Sequence, residues 1–253
     1  MAGGTDLMVL FNAGKLPFQR LVSIRDIAGL REIDVTPGRV KIGACVTYSQ
    51  IRRNATLQTH FPLLCAAASW TGGVANQNRG TLGGNIINAS PAADSPPALL
   101  TYDAELELAS KQGSRMVPYR DFHTGYKAMR IHPDELLVRI HLPLRTGWRD
   151  YSRKVGTRRA QAISKLCLAA SAKVHDAVIE DIRIAMGSVA PFPFRCFAAE
   201  GALRDHAIND ATIARAREAL CAELSPISDL RSTAEYRSRV SANLLAEFLN
   251  GLR

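Results

Sequence analysis

The chain has 253 residues, 47% of them hydrophobic and 22% charged, which excludes a disordered polymer and allows one large domain or two ordinary ones. Its 32 Lys and Arg against 23 Asp and Glu leave a net charge of +9, and the longest apolar run, Leu63–Ala68, falls far short of the roughly 20 residues that span a bilayer. Five cysteines (Cys45, Cys65, Cys167, Cys196, Cys221) form no CxxC or CxxH pair, so neither a zinc site nor an iron–sulfur cluster is written here, and the spacing reads as reduced thiols in a cytoplasmic protein.

In chain order, a turn at Ala2-Gly3-Gly4-Thr5 leads into a helix predicted over Asp6–Ala13, with Thr5 as its cap and Gly14 as its C′ glycine. A strand is expected at Leu21–Ile24. Leu30–Val35 and Val40–Gly43 flank Thr36-Pro37-Gly38-Arg39 and read as a hairpin. Thr47 with Gln50 is a capping-box signature for a helix to about Asn54. Pro62 opens a second helix to Ser69. A polar, glycine-rich segment follows from Thr71 to Pro97. Leu106 and Leu108 mark a strand, and Val138, Ile140 and Leu142 mark another with Arg139 and His141 on its opposite face. After a boundary at Thr146-Gly147, Ser164–Val174 and Val178–Met186 form a hairpin around His175-Asp176. Helices over Asp210–Leu220 and Ala234–Leu249 close the chain. Hairpins beside segregated helices indicate an α+β fold in two domains, 1–145 and 146–253.

The densest basic stretch, Arg145 to Arg159, carries six cations with Trp148 and Tyr151. Three readings stand side by side: a solvated face, a nucleic-acid surface, or cations facing a bound dinucleotide or an acidic partner. Two glycine-rich turns carry more chemistry. Ala2-Gly3-Gly4-Thr5-Asp6-Leu7 precedes a helix, and Arg79-Gly80-Thr81-Leu82-Gly83-Gly84-Asn85 leads into Ile86-Ile87-Asn88-Ala89-Ser90-Pro91-Ala92-Ala93-Asp94. Glycines of this kind let backbone N–H groups approach phosphate oxygens. Neither turn is a Walker A loop or a Gly-x-Gly-x-x-Gly fingerprint.

Residues 2–7 and 80–94 closely resemble the two flavin-pyrophosphate loops of the FAD-binding (medium) subunit of molybdenum hydroxylases, the family of bacterial xanthine dehydrogenases and carbon monoxide dehydrogenases. Pro133-Asp134-Glu135-Leu136-Leu137, the segment from Lys154 to Lys165, Gly187-Ser188-Val189-Ala190-Pro191 and Ala234-Glu235-Tyr236-Arg237 are similar to the same family, in order along the chain. The resemblance implies an FAD-binding domain of the PCMH type over 1–145, built from two α+β subdomains. It implies a carbon monoxide dehydrogenase flavoprotein-like domain over 146–253, an antiparallel sheet with helices.

It also implies a site. Ala2, Gly3, Gly4, Thr5, Asp6 and Leu7 would hold the FAD pyrophosphate from one side, and Thr81, Leu82, Gly83, Gly84 and Asn85 from the other. Asp94 matches a flavin-contacting carboxylate; taken alone, it reads as an N-cap before Ser95-Pro96-Pro97. Leu137 and Lys154 match two further FAD contacts, and Thr71 stands where some members place an aromatic on the adenine. Arg158 and Arg159, with no acid at Ala160, Gln161 or Ala162, would make the field near the flavin positive.

Family members carry a strand and a helix ahead of the first glycine turn that this chain lacks, and Met1 stands where that strand's last apolar residue would be. A late start of the reading frame is the expected reason, because a missing strand would leave sheet groups unpaired beside the site. The implied activity is electron relay: a molybdopterin-binding large subunit oxidises the substrate, a small subunit carries [2Fe-2S] clusters, and FAD here passes electrons to NAD or another acceptor. Molybdenum and cluster chemistry are then expected on partners, with no nucleic acid bound and no membrane span. Thr5-Asp6 leans toward xanthine- or aryl-oxidising relatives. The alternative is a stand-alone FAD-dependent oxidoreductase of the same flavin-binding fold.

Overall fold

The computed structural model describes residues 1–158 and 161–253. After the first glycine turn comes α1 (Leu7–Asn12), which buries none of its residues. Thr5 does not cap it. Asp6 takes the N-cap position in a helical conformation (φ −82°, ψ −40°), so the Met8 N–H closes directly on the Gly4 carbonyl at 2.9 Å and no side-chain cap is needed. Gly14 does occupy a left-handed position just past the helix, at φ +65°. Leu21–Ile24 is not a strand. Its ladder bonds reach a single residue, the Met1 amino group donating to the Val22 carbonyl and the Ile24 N–H donating to the Met1 carbonyl at 3.0 Å.

The first sheet is antiparallel and begins with the expected hairpin, β1 (Ile33–Thr36) and β2 (Arg39–Gly43). Helices α2 (Tyr48–Arg53), α3 (Ala55–His60) and α4 (Pro62–Trp70) follow, the first opened by the Thr47–Gln50 capping box and the last by Pro62. The polar segment that follows is helical in three short pieces: α5 (Val74–Gln77), α6 (Leu82–Asn88) and α7 (Ser95–Thr101). Strands β3 (Glu105–Ser110) and β4 (Gly113–Pro118), a small ribbon of β5 (His123–Gly125) and β6 (Ala128–Met129), and β7 (Leu136–Pro143) complete this half. The order across the sheet is β1-β2-β7-β3-β4.

Simple alternation fails in β7 at a bulge. Glu107 of β3 opposes Arg139, but the next residue, Leu108, opposes Leu137, so Val138 is skipped. The bulge turns Leu137 into the core with Ile140 and Leu142, whereas alternation places Val138 there. The displaced Val138 offers its carbonyl to the Ala44 N–H at 3.0 Å.

The second half is a sheet ordered β11-β10-β9-β8, made of β8 (Arg149–Val155), β9 (Leu166–His175), β10 (Val178–Gly187) and β11 (Phe194–Arg195). Asp176 and Ala177, both at positive φ, form the two-residue turn between β9 and β10. Helices α8 (Phe197–Leu203), α9 (Asp210–Glu223) and α10 (Ala234–Asn250) pack on it, the last two capped by Asn209 and Thr233. Leu168, Ala170, Ile182 and Ile184 pack in one cluster with Leu245, Phe248 and Leu249.

The two halves share α7. All seven of its residues are buried, and it packs on α4 from the first half and on β9 and β10 from the second. Pro96 and Pro97 in its first turn lose no hydrogen bond there. Its C-terminal end is held by two arginines. Arg145 donates to the Thr101 carbonyl at 3.2 Å and to Ser171 Oγ at 2.8 Å, and lies between the Tyr102 and Trp148 rings. Arg195 donates to the Leu100 carbonyl at 3.2 Å, to Asp103, and through two nitrogens to Glu200. No helix among the described residues is long and apolar enough to cross a membrane.

Candidate functional site

The first glycine turn lies against the second. A Cβ on Gly3 would stand 2.0 Å from the Arg79 carbonyl oxygen and 3.1 Å from Gly80 Cα, so only a hydrogen fits between the two backbones. Gly4 follows at φ +77°, where a side chain would be strained. Among the described residues, no backbone N–H from Ala2 to Leu7 has an acceptor, and most of this stretch is only half-buried. Consecutive unpaired N–H groups around a left-handed residue form an anion seat.

The second turn works differently. The Leu82 N–H donates to the Val46 carbonyl at 3.0 Å, Gly83 to Ala44 at 2.9 Å, Asn85 to the Thr81 carbonyl at 3.0 Å, and Gly84 to Thr81 Oγ1 at 3.1 Å. These amides are engaged in seating α6 on residues 44–46. Gly83 is needed because its Cβ would stand 2.6 Å from Ala44 Cβ. Gly84 is exposed and helical, without positive φ. What this turn has left to offer is side chains: the hydrogen of the buried Thr81 hydroxyl and the Asn85 side-chain NH2, whose Oδ1 already accepts from Ser95 Oγ.

Asp94 directly precedes α7 yet makes no capping bond. Instead Oδ2 accepts from Lys154 Nζ at 2.6 Å and Oδ1 from Ser164 Oγ at 2.6 Å, and Lys154 also donates to the Trp70 carbonyl at 3.0 Å. Burial pushes the Asp94 carboxyl above its ordinary range, while Lys154 and Ser164 pull it back. Beneath the second turn, the Tyr48 ring would meet a Gly80 Cβ at 3.0 Å, and its hydroxyl lies near the Ser95 and Thr71 side chains. Burial, then the neighbouring Asp94 carboxylate, push the Tyr48 phenol up, so it stays protonated and can donate.

The structure thus brings Gly3, in the turn of Ala2, Gly4, Thr5, Asp6 and Leu7, against Arg79–Gly80 at the head of the turn that holds Thr81, Leu82, Gly83, Gly84 and Asn85. Asn85 is joined through Ser95 to Asp94 and Lys154. Leu137 is buried in the sheet beneath, next to the Val138 carbonyl that anchors Ala44. Thr71 donates to the Ala67 carbonyl at 2.9 Å and ends α4 rather than offering a ring. Arg158 is exposed and donates to the Gln161 carbonyl at 2.6 Å, while Arg159 and Ala160 lie outside the described residues.

Three partners were not visible in the sequence: Tyr48, Ser95 and Ser164. Ser95 and Ser164 flank Asp94 and Lys165 in the quoted segments, but hydroxyl direction is a tertiary property. The basic stretch is drawn inward at two of its cations and engaged at the surface at two others. Arg145 and Lys154 are largely buried, Arg149 donates to the Leu252 carbonyl at 3.1 Å, and Arg153 pairs with Glu247 at 3.0 Å. A row of free amides beside hydroxyl, amide and Lys–Asp groups fits a ligand with a diphosphate and a polar ring, as FAD has.

Comparison with known proteins bears on the family and the fold. Residues 1–145 match the model of the FAD binding domain in molybdopterin dehydrogenase, and residues 151–252 that of the CO dehydrogenase flavoprotein C-terminal domain. The xanthine dehydrogenase FAD-binding subunit of Escherichia coli O157:H7 is 35% identical over 240 residues, covering 94% of this chain and 82% of that protein. Among solved structures, carbon monoxide dehydrogenase from Hydrogenophaga pseudoflava superposes with a TM-score of 0.92 at 29% identity, covering 99% of this chain and 87% of its own. The enzyme from Oligotropha carboxidovorans does so with a TM-score of 0.93 at 26% identity, covering 97% and 86%.

Proposed function

Because the chain belongs to the family of FAD-binding subunits of molybdopterin dehydrogenases, we propose that it is the electron-relay subunit of a cytoplasmic, xanthine dehydrogenase-like molybdenum hydroxylase. In this reading a molybdopterin-binding large subunit oxidises the substrate, a [2Fe-2S] small subunit delivers the electrons, and NAD or another acceptor removes them. Residues 1–145 form the FAD-binding domain and 146–253 the domain that closes on it.

The run of unpaired amides from Ala2 to Leu7, pressed on the Arg79–Gly80 backbone, carries the proposal. Those amides, with the Thr5 hydroxyl, bind diphosphate oxygens. The Thr81 hydroxyl and Asn85 NH2 bind from the facing turn, while Leu82, Gly83 and Gly84 keep that turn seated. Asp94 orients the ring through its remaining lone pairs, held by Lys154, and Leu137 supports the floor. Bound FAD supplies the conversion between one-electron and two-electron transfer.

The test is to load the purified chain with FAD and assay it with NADH and an artificial acceptor. Dye reduction is expected, and xanthine or an aryl aldehyde with NAD should give no turnover without the other subunits. Turnover of that second pair by the chain alone would overturn the relay and favour a stand-alone oxidoreductase. A flavin reduced by added partner subunits but not by NADH would replace NAD with another acceptor.

A further inference from the structure

Arg237 lies on α10 with its side chain only 5% exposed. Nη2 donates to Asp229 Oδ1 at 2.6 Å and Nη1 to the Ser188 carbonyl at 2.8 Å, while Nε has no acceptor among the described residues. Asp229 is itself fixed, accepting from the Arg231 N–H at 2.9 Å and the Ser232 N–H at 3.1 Å. A guanidinium is costly to bury, so what it grips is informative. It grips a strained residue: Ser188, immediately after β10, has φ +66°, in the left-handed region that a non-glycine residue seldom occupies.

Ser188 in turn holds both segments that frame Asp94. Its N–H donates to the Pro91 carbonyl at 2.8 Å, and Oγ donates to the Ser164 carbonyl at 3.2 Å. Pro91 begins the short turn that ends at Asp94, and Ser164 Oγ donates to Asp94 Oδ1 at 2.6 Å. The Asp229–Arg237 pair therefore reaches the Asp94 carboxylate through Ser188 by two routes, one along the 91–94 backbone and one through Ser164.

We propose that Arg237 is a positioning residue for the flavin: by holding Ser188 in its left-handed conformation, it sets where the Asp94 carboxylate stands in the FAD site. This rests on the reading that Asp94 meets the FAD. The charge stays where it is and no proton moves; the effect is geometric.

The test uses the FAD-loaded full chain and reads the FAD dissociation constant, the visible flavin absorption band, the flavin reduction potential and the thermal midpoint. Arg237→Gln is expected to weaken FAD binding about tenfold, as loss of a buried charge-assisted hydrogen bond does. It should also shift the band and potential in the same direction as Asp94→Asn. Arg237→Lys, which can satisfy Ser188 or Asp229 but not both, should recover part of the shift. In an Asp94→Asn background, Arg237→Gln should move the band and potential no further. Ser188→Ala, which removes only the bond to Ser164, should give a smaller shift of the same sign and decides the matter if Arg237→Gln does not fold. A lower thermal midpoint with the wild-type band and potential, while Asp94→Asn moves both, overturns the relay through Ser188 and leaves the Asp94 reading intact. If Asp94→Asn itself moves neither, the Asp94 reading falls and the relay falls with it.

Discussion

Asp94 and Lys154, 60 positions apart, meet at 2.6 Å across the boundary between the two halves of the chain, and both are nearly buried. A buried pair is seldom a net source of stability, but losing one partner strands the other. Lys154→Met should therefore destabilise the apoprotein by about 3–5 kcal/mol. Denaturant unfolding of the wild type, the single variant and Lys154→Met/Asp94→Asn measures this. The double variant should regain much of the loss, and a cost equal to that of the single variant would show that Lys154 acts by packing alone.

The two glycine turns should separate function from stability. Gly3→Ala puts a methyl 2.0 Å from the Arg79 carbonyl oxygen, so the turns must part and FAD retention should be lost. Gly83→Ala collides with Ala44 in the core and should lower stability by about 1–3 kcal/mol through overpacking. Flavin-to-protein ratio and thermal midpoint, measured on both variants, check the contrast; Gly3→Ala with a normal flavin content would remove the first turn from the site.

Much of this was legible from local signals. The Thr47–Gln50 capping box, Pro62 at a helix start, the hairpin around Gly38 and the two closing helices depend on neighbours a few residues away, and they stand as expected. Errors arose where a distant partner decides. Leu21–Ile24 has a strand's composition but too few ladder bonds. Val138 has the right parity for the core, and the β3–β7 bulge gives that place to Leu137. In the site, both glycine turns were readable, but not their division of labour, because the amides of Leu82 and Gly83 are taken up by Val46 and Ala44 from an earlier segment.

The grip of the second half on α7 can be measured at Arg195. Its side chain is 3% exposed and that of Glu200 is 2% exposed, so Arg195→Leu leaves a buried carboxylate unpaired and should cost about 3–5 kcal/mol. Arg195→Leu/Glu200→Leu should recover part of that loss, since an apolar pair of similar volume needs no partners. Urea midpoints for the three proteins decide it, and equal losses in both variants would assign the cost to Asp103 instead.

Acid should remove a stabilising contribution at Glu135. The Arg115 side chain at 2.6 Å, then the His132 N–H at 2.8 Å, hold its carboxyl at about 2 rather than the ordinary 4.5. A carboxyl lowered by folding stabilises the protein fully above its unfolded pKa and loses that contribution as pH falls from about 4.5 to about 2. Glu135→Gln should therefore lower the midpoint at neutral pH and flatten its decline across that window. Thermal melts at several acidic pH values check it; parallel curves for both proteins would reject the assignment.

Helix α7 leaves the ribosome before β9 and β10, the strands that cover its second face. Until they are made, Pro97 lacks its neighbour Gly187, Thr101 lacks the Ala169 carbonyl, and Leu100 and Asp103 await Arg195. The first half of the chain is therefore born with an open apolar seam, and its folding commits late, when the C-terminal strands arrive. A fragment ending near residue 145 should cling to chaperones or aggregate, whereas the full chain should unfold in one transition, its cofactor groove and its closing domain melting together.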